Sequence, residues 1–315
     1  MIELGILVTP GHQMMTLATA SVFEFANAHA GGPDPAYRIR LVSETGGLVP
    51  GSLGAALETE RLAPQDIDTL LVTATVGVPD SPDSLAALLR AAGQSCRRLA
   101  GVCTGAFHLG AAGLLDGRRA TTHWALAKAL QERHPRAHVE PDRIFIADGP
   151  IWTSAGLSAG LDLALGLVEQ DLGRDLARDV ARTLVMHHRR GGGQSQHSVL
   201  LELDARSDRI QNALAYARAN LHKPLRVDDL AEAARLSPRQ FARAFRAETG
   251  QTPAKAVEAL RLEAARNLVE RSRHPLDVVA RDSGFADPER MRRAFLRAFG
   301  QPPQAMRRSA RVDFP

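Results

Sequence analysis

Hydrophobic residues in the first part of the chain fall into short continuous runs, separated by segments with helical spacing. Residues 2–8, 69–75 and 98–102 are mostly apolar, whereas residues 157–172 repeat apolar positions with the period of a helix. Continuous apolar strands are typical of a parallel sheet that is buried on both faces. Asp148, Gly149 and Pro150 separate two further apolar runs and predict a β-hairpin. The pattern therefore predicts an α/β domain with a mostly parallel sheet.

The pattern changes near residue 189. Residues 191–193 are glycines within a polar stretch, and after Ser207 only segments with helical spacing remain. Polar, glycine-rich stretches commonly join domains. We therefore predict a front domain, a linker and an all-α domain over residues 1–188, 189–206 and 207–310.

The all-α domain repeats its pattern after 50 residues, so that Phe241 corresponds to Met291. Each copy contains a short helix, a turn, and a second helix with apolar residues at i and i+4, which is typical of a helix-turn-helix unit. The turn position holds Arg235 in the first copy and Gly284 in the second. The predicted units are residues 227–248 and 276–299.

Charge is distributed unevenly along the chain. Residues 1–204 carry 17 Lys+Arg and 22 Asp+Glu, a net charge of −5, whereas residues 205–315 carry 22 and 13, a net charge of +9. The formal net charge of +4 is the sum of these two values. A basic region joined to an acidic one predicts that the basic region binds a polyanion.

The second helix of each repeat carries arginine on the face opposite its apolar residues. One such helix would be read as a solvated surface, but two matched helices in a basic domain indicate binding to double-stranded DNA. Arginine can form a bidentate hydrogen bond with guanine in the major groove, and other arginines contact phosphate. We expect the strongest base contacts from Arg243 and Arg293. The candidate DNA-binding residues are Arg239, Gln240, Arg243, Arg246, Glu289, Arg290, Arg293 and Arg297.

A cysteine in the front domain lies between a predicted strand and the start of a predicted helix. Cys103 has small neighbours, which permit the tight turn of a nucleophile elbow, and a helix N-terminus lowers the pKa of a thiol. His123 is a candidate base for it, and Asp148, Glu140 or Asp162 is a candidate to orient the histidine. A buried structural cysteine and a structural histidine explain the same pattern.

Motifs in the back domain extend this interpretation. They include Leu230-Ala231, Leu236-Ser237-Pro238-Arg239, Gly250, Thr252-Pro253, residues 261–266, Gly284-Phe285 and Phe299-Gly300. They closely resemble the AraC/XylS-type DNA-binding domain over about residues 207–310. The resemblance implies that Arg239, Ala242 and Arg243 face bases in the first unit, and Glu289, Arg290 and Arg293 in the second. Ala242 departs from that role, since its methyl group can contact only a thymine methyl.

The front domain also contains recognisable motifs, namely residues 103–107, 111–124, 153–156 and 159–162. They resemble the class I glutamine amidotransferase-like (PfpI-like) domain, in the version that is fused to an AraC-type domain in the GlxA/FtrA group of bacterial regulators. The resemblance implies a flavodoxin-like α/β sandwich followed by an all-α tandem helix-turn-helix domain. It also implies that Cys103 and His123 lie in a cleft at the C-terminal edge of the sheet.

Two departures from the family argue against catalysis. Enzymes of the wider fold carry a glutamate near the first helix, where this chain has only Glu24, and a glycine pair where this chain has residues 74–77, Ala-Thr-Val-Gly. These changes remove parts that acyl transfer needs. We therefore predict a ligand pocket that includes Cys103, Thr104 and His123, with no metal and no cofactor.

The leading interpretation is a bacterial transcription factor that binds promoter DNA in response to a small-molecule effector. Expected partners are a second copy of the chain in a homodimer and, as a further candidate, RNA polymerase. Two alternatives remain open: a cysteine-dependent hydrolase or amidase, and a thiol redox sensor that uses Cys103, with Cys96 as a second thiol. Two cysteines, no signal-peptide pattern and no long apolar stretch predict a cytoplasmic, nucleoid-associated protein with no membrane contact.

Overall fold

The strands of the front part form where the sequence is most continuously apolar. Residues 4–7 of the first strand and all residues of the strands Thr69–Val72 and Arg98–Val102 are buried. The computed structural model describes residues 1–186 and 207–312, together with residues 196, 203 and 205. Most of the predicted linker, including the glycines 191–193, lies outside the described residues. The chain divides into two compact units, residues 1–196 and 197–315.

The first unit is built on an eight-stranded sheet with the order β3-β4-β2-β1-β5-β6-β10-β9. The strands from β4 to β10 in this order run parallel, whereas β3 and β9 pair antiparallel at the two edges. A separate pair, β7 and β8, is parallel. The strands are β1 Ile2–Leu7, β2 Tyr37–Ser43, β3 Gly47–Pro50, β4 Ala56–Arg61, β5 Thr69–Val72, β6 Arg98–Val102, β7 Arg119–Ala120, β8 His138–Val139, β9 Phe145–Asp148 and β10 Ile151–Ser154.

Helices connect these strands and cover the sheet. The described helices of this unit are α1 Ala18–Ala30, α2 Asp83–Ser95, α3 Gly105–Ala111, α4 Trp124–Arg133, α5 Leu157–Leu172 and α6 Arg174–Thr183. Helix α5 packs closely on the sheet because Gly160 has no side chain, since a Cβ there would lie 2.9 Å from Cγ1 of Val102. The predicted α/β fold with a mostly parallel sheet is confirmed.

The sequence pattern misses some elements of this unit. The hairpin of β9 and β10 and the bounds of α5 agree with the prediction. Strands β3 and β4 were not predicted, because their mostly exposed positions lack a continuous apolar run. The predicted strand at residues 69–75 ends earlier, at Val72, and the chain then enters the loop that borders the candidate site.

The second unit contains helices and no strands among its described residues. Its helices are α7 Asp208–Ala219, α8 Val227–Ala233, α9 Pro238–Thr249, α10 Pro253–Arg271, α11 Leu276–Asp282, α12 Pro288–Phe299 and α13 Pro303–Val312. Two hydrophobic cores form, one around Phe241 and Phe245 and the other around Met291 and Phe295. Helix α10 contributes residues to both cores, and it therefore joins the two helix-turn-helix units.

The turns of the two units fall where the sequence repeat places them. Arg235 has a φ of 52° and Gly284 a φ of 80°, so both adopt the left-handed conformation. Only the second unit has glycine at this position. A Cβ on Gly284 would lie 1.7 Å from the carbonyl oxygen of Leu221, which leaves room for no other residue.

Candidate functional site

Cys103 occupies a strained turn between β6 and α3. Its φ is 52°, a conformation that non-glycine residues rarely adopt. The turn is possible because its neighbours are small: a Cβ on Gly101 would lie 2.9 Å from the Ala106 nitrogen, and one on Gly105 would lie 2.5 Å from the Val72 carbonyl oxygen. The cysteine N–H donates to the Ser154 carbonyl at 3.0 Å. The backbone therefore has the elbow geometry that the sequence predicted.

The surroundings of the thiol in this turn disfavour its thiolate form. Burial raises the pKa of Cys103, and hydrogen bonds from the backbone of Thr104 and His123 offset this only in part. The side chain is 7% exposed. The expectation that the helix N-terminus lowers this pKa is wrong, because desolvation of the thiolate outweighs the favourable backbone contacts.

His123 approaches Cys103 with its backbone and uses its ring to cap a helix. The N–H of Ala125 donates to Nδ1 of His123 at 3.3 Å, so the imidazole closes the N-terminus of α4. The ring also lies against Trp124, with 5.5 Å between the centroids. This nitrogen is therefore engaged in a structural hydrogen bond.

The three carboxylates proposed to orient His123 have distinct surroundings. Asp148 accepts a hydrogen bond from the backbone of Arg119 at 2.7 Å. Glu140 forms ion pairs with Arg119 and Arg143 at 2.5 and 2.8 Å. Burial opposes ionisation of Glu140, but the two arginines hold its pKa below the usual value. Asp162 is fully buried in α5. Asp148 and Glu140 are therefore both engaged in contacts with arginine residues.

The remaining candidate positions of an acyl-transfer site are Glu24 and the backbone of the loop after β5. Glu24 is exposed on α1. The hydroxyl of Thr104 accepts the N–H of Thr75 at 2.8 Å and donates to the Thr75 carbonyl at 3.1 Å, so it ties the elbow to the loop after β5. The backbone N–H of Thr75 is therefore not directed at a substrate oxygen.

A glutamine next to the junction is anchored close to this elbow. Nε2 of Gln196 lies 2.8 to 3.0 Å from the carbonyl oxygens of Thr122, Pro141 and Arg143, which share its two N–H groups, and its oxygen accepts the N–H of Trp124 at 2.8 Å. Thr122 in turn donates its hydroxyl to the Cys103 carbonyl at 2.8 Å. A chain of hydrogen bonds therefore runs from the elbow to Gln196. No sequence pattern indicates this contact, because the partners are more than 50 residues away from Gln196.

A cavity that the sequence did not predict lies at the carboxyl ends of β1, β2 and β5. It has a volume of about 560 Å³, and Thr9, Glu44, Asp80 and His108 are among the residues that line it. The polar residues that follow the buried strands could have predicted this cavity, because the carboxyl ends of parallel strands meet at one edge of a sheet. Cys103, Thr104 and His123 do not line this cavity.

The first candidate recognition helix, α9, presents its arginines to solvent. Phe241 and Phe245 are buried, and Arg239, Arg243 and Arg246 are exposed and form no ion pair with another described residue. Ser237 caps the helix and accepts the N–H of Gln240 at 3.4 Å. Oε1 of Gln240 accepts a hydrogen bond from the Ser237 hydroxyl at 2.8 Å, so this candidate DNA contact also belongs to the helix cap.

The second candidate recognition helix, α12, repeats this arrangement with more ion pairs. Asp287 caps it, and Met291 and Phe295 are buried, as the repeat predicts. Four candidate residues are exposed, namely Glu289, Arg290, Arg293 and Arg297. Glu289 pairs with Arg292 at 2.9 Å, and Arg297 pairs with Glu258 of α10 at 2.7 Å.

Comparison with known proteins supports the assignment of both units. A DJ-1/PfpI family model matches residues 13–170, and a helix-turn-helix domain model matches residues 230–309. The HTH-type transcriptional regulator GlxA of Rhizobium meliloti (strain 1021) is 31% identical over 316 residues, which cover 97% of this chain and 95% of that protein. The HTH-type transcriptional regulator GbdR of Pseudomonas aeruginosa (strain UCBPP-PA14) is 29% identical over 319 residues, which cover 99% and 86%.

A solved structure supports the assignment of the first unit. The crystal structure of an AraC family transcriptional regulator from Pseudomonas putida matches with a TM-score of 0.53 at 25% identity, over 58% of this chain and 100% of that chain. The α/β unit and the paired helix-turn-helix units together define a DNA-binding transcriptional regulator. This chain belongs to the AraC/XylS-type regulators that carry an N-terminal DJ-1/PfpI domain. Among the described residues, no helix is long and apolar enough to cross a membrane.

Proposed function

We propose that this protein regulates transcription in response to a small molecule, with ligand binding in residues 1–188 and operator binding in residues 207–310. The observation that carries the proposal is the pair of matched helices, α9 and α12, which bury their apolar faces and present arginine outward. The protein acts as a cytoplasmic homodimer, so that four helix-turn-helix units meet one operator. RNA polymerase is a candidate further partner at the promoter.

The arginines of the two helices have different tasks in this proposal. Arg243 and Arg293 lie near the middle of their helices and hydrogen-bond base edges in successive segments of the major groove. Arg246 and Arg297, one turn further on, contact phosphate and fix the register. Arg239, Gln240, Glu289 and Arg290 supply further contacts at the N-terminal ends of the helices.

Binding of the full-length protein to genomic DNA fragments across a series of salt concentrations tests the DNA proposal. We expect a protected site whose affinity falls steeply with salt, because phosphate contacts release counterions from DNA. Affinity that ignores salt, or the same affinity for every fragment, would contradict sequence-specific binding.

We also propose that Cys103 performs no catalysis. The raised pKa keeps the thiol protonated, and the thiolate is the nucleophilic form. Cys103→Ser should leave DNA binding intact, and the unaltered protein should show no thiol-dependent hydrolysis of amide or ester substrates. Turnover that disappears in Cys103→Ser would establish the hydrolase alternative.

The redox alternative involves two buried thiols. Burial raises the pKa of Cys96 to about 11 and also raises that of Cys103, and both effects disfavour reaction with peroxide. We therefore expect DNA binding by the unaltered protein and by Cys103→Ala to be equal with and without peroxide. A peroxide response that Cys103→Ala removes would establish the redox sensor.

Gln196 supplies a route from the ligand-binding unit to the junction. A ligand shifts the regulator only if its affinity differs between two arrangements, and release of Gln196 from the carbonyls around Thr122 is such a difference. Gln196→Ala should change the DNA affinity of the ligand-free protein and reduce its response to ligand. Gln94→Ala, at an exposed position of α2, is the matched control. Equal behaviour of the two variants would exclude this route.

A further inference from the structure

The cavity beside the elbow lies where the order of the strands in the sheet reverses. From β1 the chain continues to β2 on one side, and β5 then pairs with β1 on the other. Open α/β sheets bind ligands outside the carboxyl ends of the strands at such a switch point. The cavity volume of about 560 Å³ also lies within the usual range for small-molecule sites. Topology and size therefore both mark it as a ligand site.

The cavity wall contains buried polar atoms that have no hydrogen-bond partner among the described residues. These are Oγ1 of Thr9, Oγ1 of Thr75 and Nε2 of His108. Thr9 and His108 are only 5% and 2% exposed. Unpaired buried polar atoms destabilise a folded protein and are rare, so a group of them around one cavity calls for a physical explanation. A ligand that enters the cavity and hydrogen-bonds to them supplies one.

His108 is a hydrogen-bonding group without charge. Its Nδ1 lies 2.7 Å from the hydroxyl of Ser81. Burial lowers the pKa of His108 to about 4, so the ring is neutral at pH 7. When Nδ1 carries the proton and donates it to Ser81, Nε2 is a hydrogen-bond acceptor. The histidine then suits a ligand that carries an N–H donor.

The charged residues of the wall are acidic. Glu44 and Asp80 line the cavity, no lysine or arginine does, and neither carboxylate has an ion-pair partner among the described residues. Two other carboxylates of this unit are paired with arginine, Asp68 with Arg97 at 2.7 Å and Asp171 with Arg98 at 2.5 Å. Two carboxylates without a counter-charge favour a cation and repel an anion.

Most of the remaining wall is apolar, with side chains such as Leu7, Val49 and Leu85. We infer that this cavity is the effector site and that it binds a small organic ammonium ion with an apolar body. The ammonium group lies between Glu44, Asp80 and the acceptor nitrogen of His108, and the apolar body contacts the aliphatic side chains. This inference rests on the proposed function, because it assumes that the front unit binds the effector. It replaces the pocket around Cys103 and His123 as the ligand site.

The hydrogen bonds of Thr104 connect this cavity to the rest of the unit. Thr75 lines the cavity, and both its backbone N–H and its carbonyl are bonded to the Thr104 hydroxyl. Thr104 follows Cys103, whose carbonyl is held by Thr122. A ligand that displaces the loop after β5 therefore acts on the same hydrogen bonds that reach Gln196.

Calorimetric titration of the full-length protein with matched probes tests the inference. The probes are benzylammonium and butylammonium ions, neutral benzyl alcohol, and benzoate. We expect both ammonium ions to bind, benzyl alcohol to bind at least about tenfold more weakly than benzylammonium, and benzoate not to bind. Failure of both ammonium ions to bind, or equal affinity for the alcohol and the ammonium ion, would overturn the inference.

Variants identify the cavity as the place of binding. The double variant Glu44→Gln, Asp80→Asn should reduce affinity for benzylammonium about tenfold or more and leave that for benzyl alcohol unchanged. The matched control, Glu58→Gln with Asp34→Asn, removes the same charge from exposed positions of this unit and should bind as the unaltered protein does. Equal losses in both double variants would show a general electrostatic effect and refute the site.

A blocking variant keeps the inference separate from the proposed function. Ser52 lines the cavity and is exposed, so Ser52→Trp should fill its mouth without disturbing the core. It should abolish ammonium binding and retain operator binding. If Ser52→Trp binds ammonium normally, the cavity is not the site, whereas absence of specific DNA binding by the unaltered protein contradicts the proposed function alone.

Discussion

The two helix-turn-helix units arise from one repeated sequence pattern, yet they differ at the turn and on the candidate recognition helix. The first unit accepts Arg235 in a left-handed conformation, because this side chain is exposed. The second requires glycine, because the Leu221 carbonyl lies against Gly284. The same left-handed turn therefore accepts an arginine where the position is open, and it requires a glycine where another part of the backbone packs against it.

The second difference concerns the arginines. The arginines of α9 form no ion pairs among the described residues, whereas Arg292 and Arg297 of α12 are paired with Glu289 and Glu258. An arginine that must leave a carboxylate to contact DNA contributes less to affinity than one that is free. We therefore predict that the two units, although matched in sequence, contribute unequally to DNA binding.

The largest expected effect comes from the turn glycine. Gly284→Ala should lower the free energy of unfolding of the second unit by at least about 3 kcal/mol, because the left-handed conformation and the displaced Leu221 backbone both cost energy. Arg235→Gly should change stability by less than about 1 kcal/mol, since relief of strain is offset by a more flexible unfolded chain. Hydrogen exchange of α11 and α12 in the full-length protein measures the difference. Similar protection in the two variants would contradict the packing argument.

Base recognition is the next effect in size. Arg243→Ala and Arg293→Ala should each reduce discrimination at a single base position of the operator by about 1–3 kcal/mol, and the two positions should differ. Competition binding with singly substituted operators measures this loss. Arg90→Ala, an exposed arginine of α2, is the control and should leave discrimination unchanged. If only one of the two variants relaxes specificity, the other unit binds DNA without reading its sequence.

Phosphate contacts should give the smallest effects. Arg246→Ala should weaken binding to all sequences alike. It should also reduce the slope of the logarithm of the binding constant against the logarithm of the salt concentration by about one. Arg297→Ala should weaken binding less, because Arg297 must first leave Glu258. Binding isotherms at several salt concentrations measure both changes.

Glu258→Gln sharpens the same comparison. It should strengthen DNA binding by less than about 1 kcal/mol, because the ion pair with Arg297 is exposed. In the Arg297→Ala background the same substitution should have a smaller effect. An equal gain in both backgrounds would mean that Glu258 acts through general repulsion of DNA and not through Arg297.

Local features of the fold were predictable from the sequence. The bounds of α5, the caps at Ser237 and Asp287 and the strained turn at Cys103 each depend on neighbouring residues, so a short window of sequence contains the relevant information. Strands β3 and β4 were missed, since their pairing compensates for a weak apolar pattern. Cavity residues such as His108 were missed because they come from elements and loops that are far apart in the sequence.

Patterns in the sequence are sufficient to assign the class of this protein. Apolar spacing set the α/β unit, the 50-residue repeat set the paired helix-turn-helix units, and the distribution of charge indicated which unit meets DNA. Three properties follow from tertiary contacts alone: burial raises the pKa of Cys103, Arg297 is paired with Glu258, and polar atoms around one cavity have no hydrogen-bond partner among the described residues. These properties depend on burial and on contacts between residues far apart in the chain, which short-range patterns do not encode.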